Sequence, residues 1–364
     1  MIQEENVSLD ISHSSKISRE LRVFYNPLMK ENRDITLTVI ETYLKHYSPK
    51  EFVCLLPLEG TGVRGIRIQK AFPKAVVLYN DISPTAVQFI EKHLELNGVT
   101  QNYSISQLPA DQFLLKQKMA DFIDIDPFGS PNPFLDAAIK RIKHKGLLAI
   151  TATDTAAMCG SSQKAGLRKY GTRSQKDIPW QHEFGVRSFI AHVQRLAAQF
   201  EKTLIPIFVY PKRHYYRFFF IAYSLKSKVD TELLKHQFVQ FTSSAKWKLS
   251  QSGFSQGTAC GPLYTGELCD LDFIQNKTFT QLLHQFKISQ TWFETYVLEH
   301  QFSKVGTYNI SQIAQDFKIK QIPNFVDLIQ RIQTAGYSAS KTVFQKESIR
   351  SNIPSTKLLK LLIN

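Results

Sequence analysis

Short apolar runs alternate with amphipathic stretches of helical period along this chain, and their order predicts most of its elements. Phe52-Val-Cys-Leu-Leu56 is a buried strand that passes through the turn Pro57–Gly65, with glycines at 60, 62 and 65, into a helix over Ile66–Phe72. A second strand, Ala75–Ile82, ends at Asp81, and Ser83-Pro84 caps a helix that runs to Asn97-Gly98. A weaker third unit follows, Tyr103–Ser106 and then Leu108–Leu115. The fourth strand is Phe122-Ile-Asp-Ile-Asp-Pro-Phe-Gly-Ser-Pro131, whose proline, aromatic and glycine mark a turn at its tip. A helix over Phe134–Ile142 and a fifth apolar strand, Gly146–Thr155, continue the alternation. His182–Phe200 is a long amphipathic helix, and Leu204–Val209 with Arg217–Leu225 form an antiparallel pair.

Five strand–helix units and a closing hairpin give an α/β, doubly wound Rossmann-like sheet. That is the layout of class I methyltransferases, which use S-adenosylmethionine (SAM), more than of a NAD-linked enzyme: the turn after the first strand lacks GxGxxG spacing. Ahead of the sheet, residues 1 to about 20 are polar and Ser-rich and read as a loosely held arm. Phe24-Tyr-Asn-Pro27 and Asn32-Arg-Asp34 then lead into a helix marked by Ile35, Val39, Ile40 and Leu44. Two aromatics beside a turn suit either a core anchor or a lid over a nucleotide.

Beyond residue 226 the pattern changes. Residues 226–270 are polar, and Ala259–Gly266 reads as a compact turn. Ile310, Ile313, Ala314 and Phe317 make one helical stripe, and Phe325, Leu328, Ile329 and Ile332 a second one closed by Gly336. With the β-like Ser338–Phe344 they resemble a winged helix, giving a smaller α+β C-terminal domain. The expected division is a catalytic domain over 1–268, its end falling as early as 226, and an RNA-binding domain over 269–364.

A net charge of +14 on 364 residues points to a polyanionic partner, nucleic acid first. Hydrophobic content of 43% with 21% charged residues is that of a globular protein, and no run of about 18 apolar residues exists to span a membrane. Cys54, Cys159, Cys260 and Cys269 form no CxxC pair, so a reducing, cytoplasmic setting is expected, without disulfides or a metal site. The basic residues cluster twice. Ser161–Lys176 carries Lys164, Arg168, Lys169, Arg173 and Lys176, and Ser338–Lys360 carries Lys341, Lys346, Arg350, Lys357 and Lys360. Either is a solvated surface or a phosphate-contacting one, and the overall charge favours the second.

Strand ends are where such a sheet binds ligands. Asp81 is placed to accept from a ribose diol. Asp111 either faces an adenine amino group or caps its own short helix. Asp126-Pro127-Phe128 offers an acceptor for an N–H, a rigid carbonyl and a flat surface, a set suited to chemistry on a nucleobase amino group.

Together these segments resemble the tRNA (guanine-26-N2)-dimethyltransferase family, its archaeal members above all. The motifs that carry the resemblance are Phe24-Tyr-Asn-Pro with Asn32-Arg-Asp34, Thr61-Gly-Val-Arg-Gly-Ile-Arg67, Asp124-Ile-Asp-Pro-Phe-Gly-Ser-Pro131, Gly146–Thr155, Gly261-Pro-Leu-Tyr264 and Gly336-Tyr-Ser-Ala-Ser-Lys-Thr342. The resemblance implies two methyl transfers from SAM to guanine N2 in tRNA. It further implies that Arg33 and Arg64 meet the methionine end of the cofactor, with Gly60, Gly62 and Asp81 beside it and Ala110-Asp111 at the adenine. Asp126 with Pro127 would be catalytic, and Phe24, Tyr25, Asn26 and Phe128 would hold the base. Lys164, Arg168, Lys169, Arg173, Lys341 and Arg350 would contact tRNA, and the enzyme would act as a monomer. Cysteine pairs that some members carry before the Gly-Pro-Leu turn are missing here, so no zinc is expected. The alternatives are an amino methyltransferase acting on another base, ribosomal guanine N2 or DNA adenine N6, and a non-catalytic RNA-binding protein.

Overall fold

A computed structural model describes residues 1–11, 25–212, 214–254, 257–302 and 305–363. The chain opens with a hairpin, β1 (Ile2–Glu4) and β2 (Val7–Leu9), followed after the undescribed residues 12–24 by a 3-10 turn at Pro27–Met29 and helix α1 (Lys30–Tyr47). Strands and helices then alternate: β3 (Val53–Leu56), α2 (Val63–Ala71), β4 (Val76–Asn80), α3 (Pro84–Leu96), β5 (Tyr103–Ser106), α4 (Ala110–Lys116), β6 (Ala120–Ile125), α5 (Asn132–Arg141) and β7 (Ile142–Ala152). Three helices, α6 (Thr155–Met158), α7 (Gln163–Tyr170) and α8 (Gln181–Ala198), precede the hairpin β8 (Thr203–Lys212) and β9 (Tyr215–Tyr223).

These seven strands form one sheet in the order β5-β4-β3-β6-β7-β9-β8. The first five are parallel, and β9 is antiparallel to both its neighbours. Strand order reverses between β3 and β6, so the loops after those two strands flank a crevice at the carboxyl edge. The apolar runs are continuous because both faces are covered. On one face Cys54, Val77 and Phe122 pack with Ile35, Val39 and Ile66 of α1 and α2; on the other Leu55, Ile123 and Leu148 pack with Leu135 of α5 and Phe189 of α8.

The described part of the amino-terminal arm, residues 1–11, is packed rather than loose, and the rest of the arm lies outside the described residues. Glu4, Val7 and Leu9 of the hairpin are buried, and the Asn97 Nδ2 donates to the Ser8 carbonyl while the Ser8 N–H donates to Asn97 Oδ1. A polar sequence concealed this, because Glu4 is buried through charge rather than apolarity.

Residues 226–270 also hold more structure than their polarity suggests: α9 (Lys226–Leu233) and a sheet ordered β11-β10-β12, from β10 (His236–Ser243), β11 (Lys246–Ser250) and β12 (Cys260–Tyr264). The segment read as a compact turn is thus strand β12. It contains the cis Gly261–Pro262 bond, and Gly261 exchanges backbone hydrogen bonds with Arg173. Gly261 has φ of 124°, a conformation that glycine alone adopts readily.

Three further helices, α10 (Leu271–Ile274), α11 (Lys277–Gln285) and α12 (Gln290–His300), share the apolar core of β3 and α1 through Phe273, Phe279 and Phe293. A separate core is drawn from Ala245 and residues 308–362. It is built from β13 (Tyr308–Asn309), α13 (Ile310–Asp316), α14 (Phe325–Thr334), β14 (Ala339–Lys341), β15 (Ser348–Ser351) and α15 (Ser355–Ile363), with strand order β13-β15-β14. Two helices followed by a two-stranded wing is the winged-helix layout.

Candidate active site

Four loops at the carboxyl edge, after β3, β4, β5 and β6, are held in register by side chains at the strand tips. Asn80, fully buried at the end of β4, donates through Nδ2 to the carbonyls of Pro57 (3.0 Å) and Leu108 (2.9 Å) and accepts the Leu108 N–H at 3.1 Å. One amide thereby ties the loops on either side of β4. Its neighbour Asp81 accepts the N–H of Gly60 and of Ser83, each at 2.9 Å. Gly60 and Gly62 have φ of 59° and 77°, which turn the chain tightly into α2. Ala110 opens α4 and is buried, and Asp111 is exposed in that helix's first turn. Glu59, in the loop after β3, receives the Gly65 N–H at 3.4 Å; burial pushes its carboxyl up to about 8 against the pull of Arg64.

Across the crevice β6 delivers Asp124 and Asp126 on one face of the strand. Asp124 is buried, and burial raises its carboxyl while the Arg217 and Arg64 guanidinium groups outweigh that and hold it below the usual range. Asp126 is 20% exposed at the tip and is paired with Arg64. Arg64 also donates to Asn32 Oδ1 (3.1 Å) and Thr36 Oγ1 (3.0 Å) on α1. Beyond Asp126, the Gly129 N–H donates to Thr153 Oγ1 (2.8 Å) and the Thr153 N–H to the Gly129 carbonyl (3.2 Å). This pinned turn projects Phe128, 56% exposed, at the mouth of the crevice.

Within the basic segment after β7, Gln163–Tyr170 form helix α7, and Arg173 and Lys176 follow it in a loop. Gly166 sits so close to the Ala157 carbonyl that an added Cβ would lie 2.6 Å from it, which lets α7 dock on α6. Lys164, Arg168, Lys169 and Arg173 are exposed, Lys169 pairing with Asp154 at 2.6 Å. Tyr170 on the inner side is buried, 3.0 Å from Ser130 Oγ and 3.4 Å from Asp154 Oδ2, and the Asn132 Nδ2 donates to the Lys169 carbonyl. The helix is therefore joined to the loop that carries Phe128.

Several expected residues stand elsewhere. Arg33 is buried with its guanidinium on both oxygens of Glu4 (2.7 and 2.5 Å) and on the Asn26 carbonyl, so it braces the hairpin. The Tyr25 hydroxyl donates to Glu4 at 2.8 Å and its ring lies over Arg33; burial and the Glu4 charge push that phenol up to about 12. The Asn26 side chain accepts the Leu28 N–H and caps the 3-10 turn. Tyr25 and Asn26 thus both take part in the support of α1, and Phe24 lies outside the described residues. Lys341 is exposed on β14. Arg350 is not: at 2% exposure it lies between Glu183 of α8 and Glu299 of α12, which corrects its placement on an RNA surface.

Sequence reasoning missed Asn80, Asp124, Arg217, Glu4 and Glu183. Arg217 carried a usable signal: a lone charge inside Tyr215–Tyr223, an otherwise uncharged strand, needs a buried counter-charge. The four cysteines are buried and free, and among the described residues no group of histidine, cysteine and carboxylate could hold a metal ion. No described helix is long and apolar enough to cross a membrane.

The sheet order, the reversed β9 and the acid-tipped β4 and β6 around a glycine-rich turn define a class I methyltransferase. The family model "N2,N2-dimethylguanosine tRNA methyltransferase" matches residues 3–363, and the chain belongs to that family. Curated relatives called tRNA (guanine(26)-N(2))-dimethyltransferase are each 31% identical to it: one from Methanococcus maripaludis, over 100% of this chain and 97% of the relative, and one from Methanocaldococcus jannaschii, over 97% and 95%. The structure of Trm1 from Pyrococcus horikoshii in complex with S-adenosyl-L-methionine superposes with a TM-score of 0.87 at 28% identity, covering 99% of both chains. This chain is accordingly a SAM-dependent tRNA methyltransferase that dimethylates guanine N2.

Proposed function

We propose that methyl transfer takes place at Asp126-Pro127, with guanine 26 stacked on Phe128. The observation that carries this reading is the state of Asp126: Arg64 holds Oδ2, and the carboxylate stands at the exposed tip of β6 beside a projecting aromatic ring. Guanine N2 is a poor nucleophile because its lone pair is delocalised into the ring. Asp126 Oδ1 accepts one N2–H and the Pro127 carbonyl the other, which returns electron density to nitrogen and aims it. Asp126 then takes the proton released. In the second transfer a single N2–H remains, and it is the one Asp126 accepts. A guanine within a folded tRNA is stacked, so it leaves its stack to reach this position.

The crevice fits SAM. When bound, the cofactor supplies an electrophilic methyl on sulfonium. Asp81 uses two of its roughly four acceptor directions on Gly60 and Ser83, which leaves the rest for a ribose diol. Gly60 and Gly62 keep the β3 loop free of side chains, Ala110 and Asp111 lie towards the adenine, and Arg64 borders the methionine end. Arg33, braced by Glu4 at the start of α1, borders the methionine end with it.

Lys164, Arg168 and Lys169 on α7, Arg173 just beyond it and Lys341 on the wing receive tRNA phosphates. The catalytic domain runs to about residue 300 rather than 268, because α10–α12 share its core, and the domain built on residues 308–362 binds tRNA; the protein acts as a monomer in the cytoplasm. Incubation with SAM and tRNA transcripts, read by nucleoside mass spectrometry, yields dimethylguanosine that disappears when guanine 26 is replaced. Methyladenosine, or no methylation despite SAM binding, overturns the reading in favour of another base or a non-catalytic RNA-binding protein. Phe128→Ala lowers kcat/KM for tRNA by about 5- to 150-fold, the loss of one base–aromatic stack worth about 1–3 kcal/mol. SAM affinity by calorimetry stays unchanged.

A further inference from the structure

Arg217 on β9 is fully buried and is used by no step described above. Its Nη1 donates to Asp124 Oδ1 at 2.7 Å and Thr151 Oγ1 at 3.0 Å; its Nη2 donates to Asp124 Oδ2 at 2.6 Å and Thr36 Oγ1 at 3.0 Å. Arg64 stands between Asp124 and Asp126, with Nε 3.3 Å from Asp124 Oδ2 and Nη2 on Asp126 Oδ2. Two guanidinium groups and two carboxylates therefore alternate in one row, Arg217–Asp124–Arg64–Asp126, which runs from the interior of the sheet to the tip of β6.

We infer that Arg217 is a positioning residue for methyl transfer: by occupying both oxygens of Asp124 it leaves Arg64 to orient Asp126. The inference rests on the assignment of Asp126 as the group that receives the guanine amine. Arg64 has two carboxylates within reach, and their burial decides between them. An unpaired Asp124, shielded from water, attracts a guanidinium more strongly than Asp126 at the solvent-facing tip does, since charge interactions strengthen as the local dielectric falls. With Arg217 in place Asp124 is already neutralised in a bidentate pair, and Arg64 keeps its contact with Asp126. Without it, Arg64 turns inward to Asp124 and Asp126 loses the partner that fixes its rotamer. The fold itself does not require such a row, because apolar groups of similar volume serve stability as well or better than a buried ion pair. Among the described residues Arg217 Nε has no hydrogen-bond partner, a further sign that packing alone did not place a guanidinium there.

The test uses the full chain with SAM and tRNA. Arg217→Gln lowers kcat about 100-fold, the scale expected when a reacting group is misplaced by about 1 Å, while KM for SAM and for tRNA each change by less than about threefold. Asp124→Asn combined with Arg217→Gln makes both partners neutral, leaves Arg64 only Asp126 as a carboxylate partner in the row, and returns kcat to within about fivefold of the parent. A role in stability alone predicts no such recovery. An Arg217→Gln protein with parental kcat overturns the inference, as does a double variant no more active than the single one. If the single variant does not fold, the double variant decides alone, and a double variant that also fails to fold counts against the inference. Should Asp126→Asn retain full activity, the underlying assignment fails; loss of activity there with no recovery in the double variant overturns only the role of Arg217.

Discussion

Asp126→Asn abolishes measurable dimethylguanosine formation while SAM and tRNA still bind. The amide keeps the shape of the carboxylate and an oxygen for Arg64. It cannot take the proton that N2 must lose, and its NH2 meets the guanine amine donor to donor. Proton removal by a positioned base contributes roughly 10²–10⁴-fold, and loss of alignment adds to it. The check has two parts: single-turnover methylation of a tRNA transcript, and calorimetric titration with SAM. Activity within about tenfold of the parent sinks the assignment of Asp126, since that is less than the smallest contribution a general base makes. A variant that neither binds SAM nor methylates places Asp126 in the fold rather than in the reaction.

Arg350→Met lowers Tm by roughly 5 °C, the largest stability effect expected of any single change named here. The guanidinium Nη1 and Nη2 reach the two oxygens of Glu183 at 3.1 and 3.0 Å, and Nε reaches Glu299 at 3.1 Å. Removing it leaves two buried carboxylates facing each other, a change that costs about 3–5 kcal/mol. Burial raises Glu183, but Arg350 and then Arg187 outweigh it and hold that carboxyl at about 2. In the parent protein the stabilisation from Glu183 is therefore present above the ordinary carboxylate range and is lost as pH falls towards 2. Burial holds Glu299 above its ordinary value despite Arg350. Without Arg350 neither carboxylate keeps that counter-charge, and protonation relieves the strain. The Tm deficit is accordingly larger at pH 7.5 than at pH 4.5, as thermal melts at the two values will read. A deficit that does not depend on pH assigns the loss to packing alone. Arg350→Lys, which keeps the charge but not the fork, falls between the two.

Most of the sheet was legible because β3, β4 and β7 are written as largely apolar runs closed by turn signals, and Asp81, Asp126 and Phe128 could be set at strand tips by position alone; β5, with its two serines, was the weak strand. What was illegible depended on partners distant in sequence. Arg33 and Tyr25 are both braced by Glu4, and Glu4 sits in a hairpin too short and polar to show a period. Arg350 was counted with four lysines because net charge carries no direction; its place in the buried strand Ser348-Ile-Arg-Ser351 turns it inward. Strand β12 was read as a turn because Gly261-Pro262 punctuates it, yet Cys260 before and Leu263-Tyr264 after that dipeptide pair with β10, across a shift in register. The α7 helix was hidden by its glycines, one of which permits close docking rather than ending the helix.

Asn80 has a consequence for where motion enters the reaction. By tying the loops at Pro57 and Leu108 to one buried amide, it completes the ordering of the cofactor crevice during folding. Capture of SAM is then governed by diffusion and desolvation rather than by closing those loops. The slow, costly rearrangement falls to the RNA, whose guanine must break its stacking twice if the singly methylated product is released between transfers, and only once if it is retained.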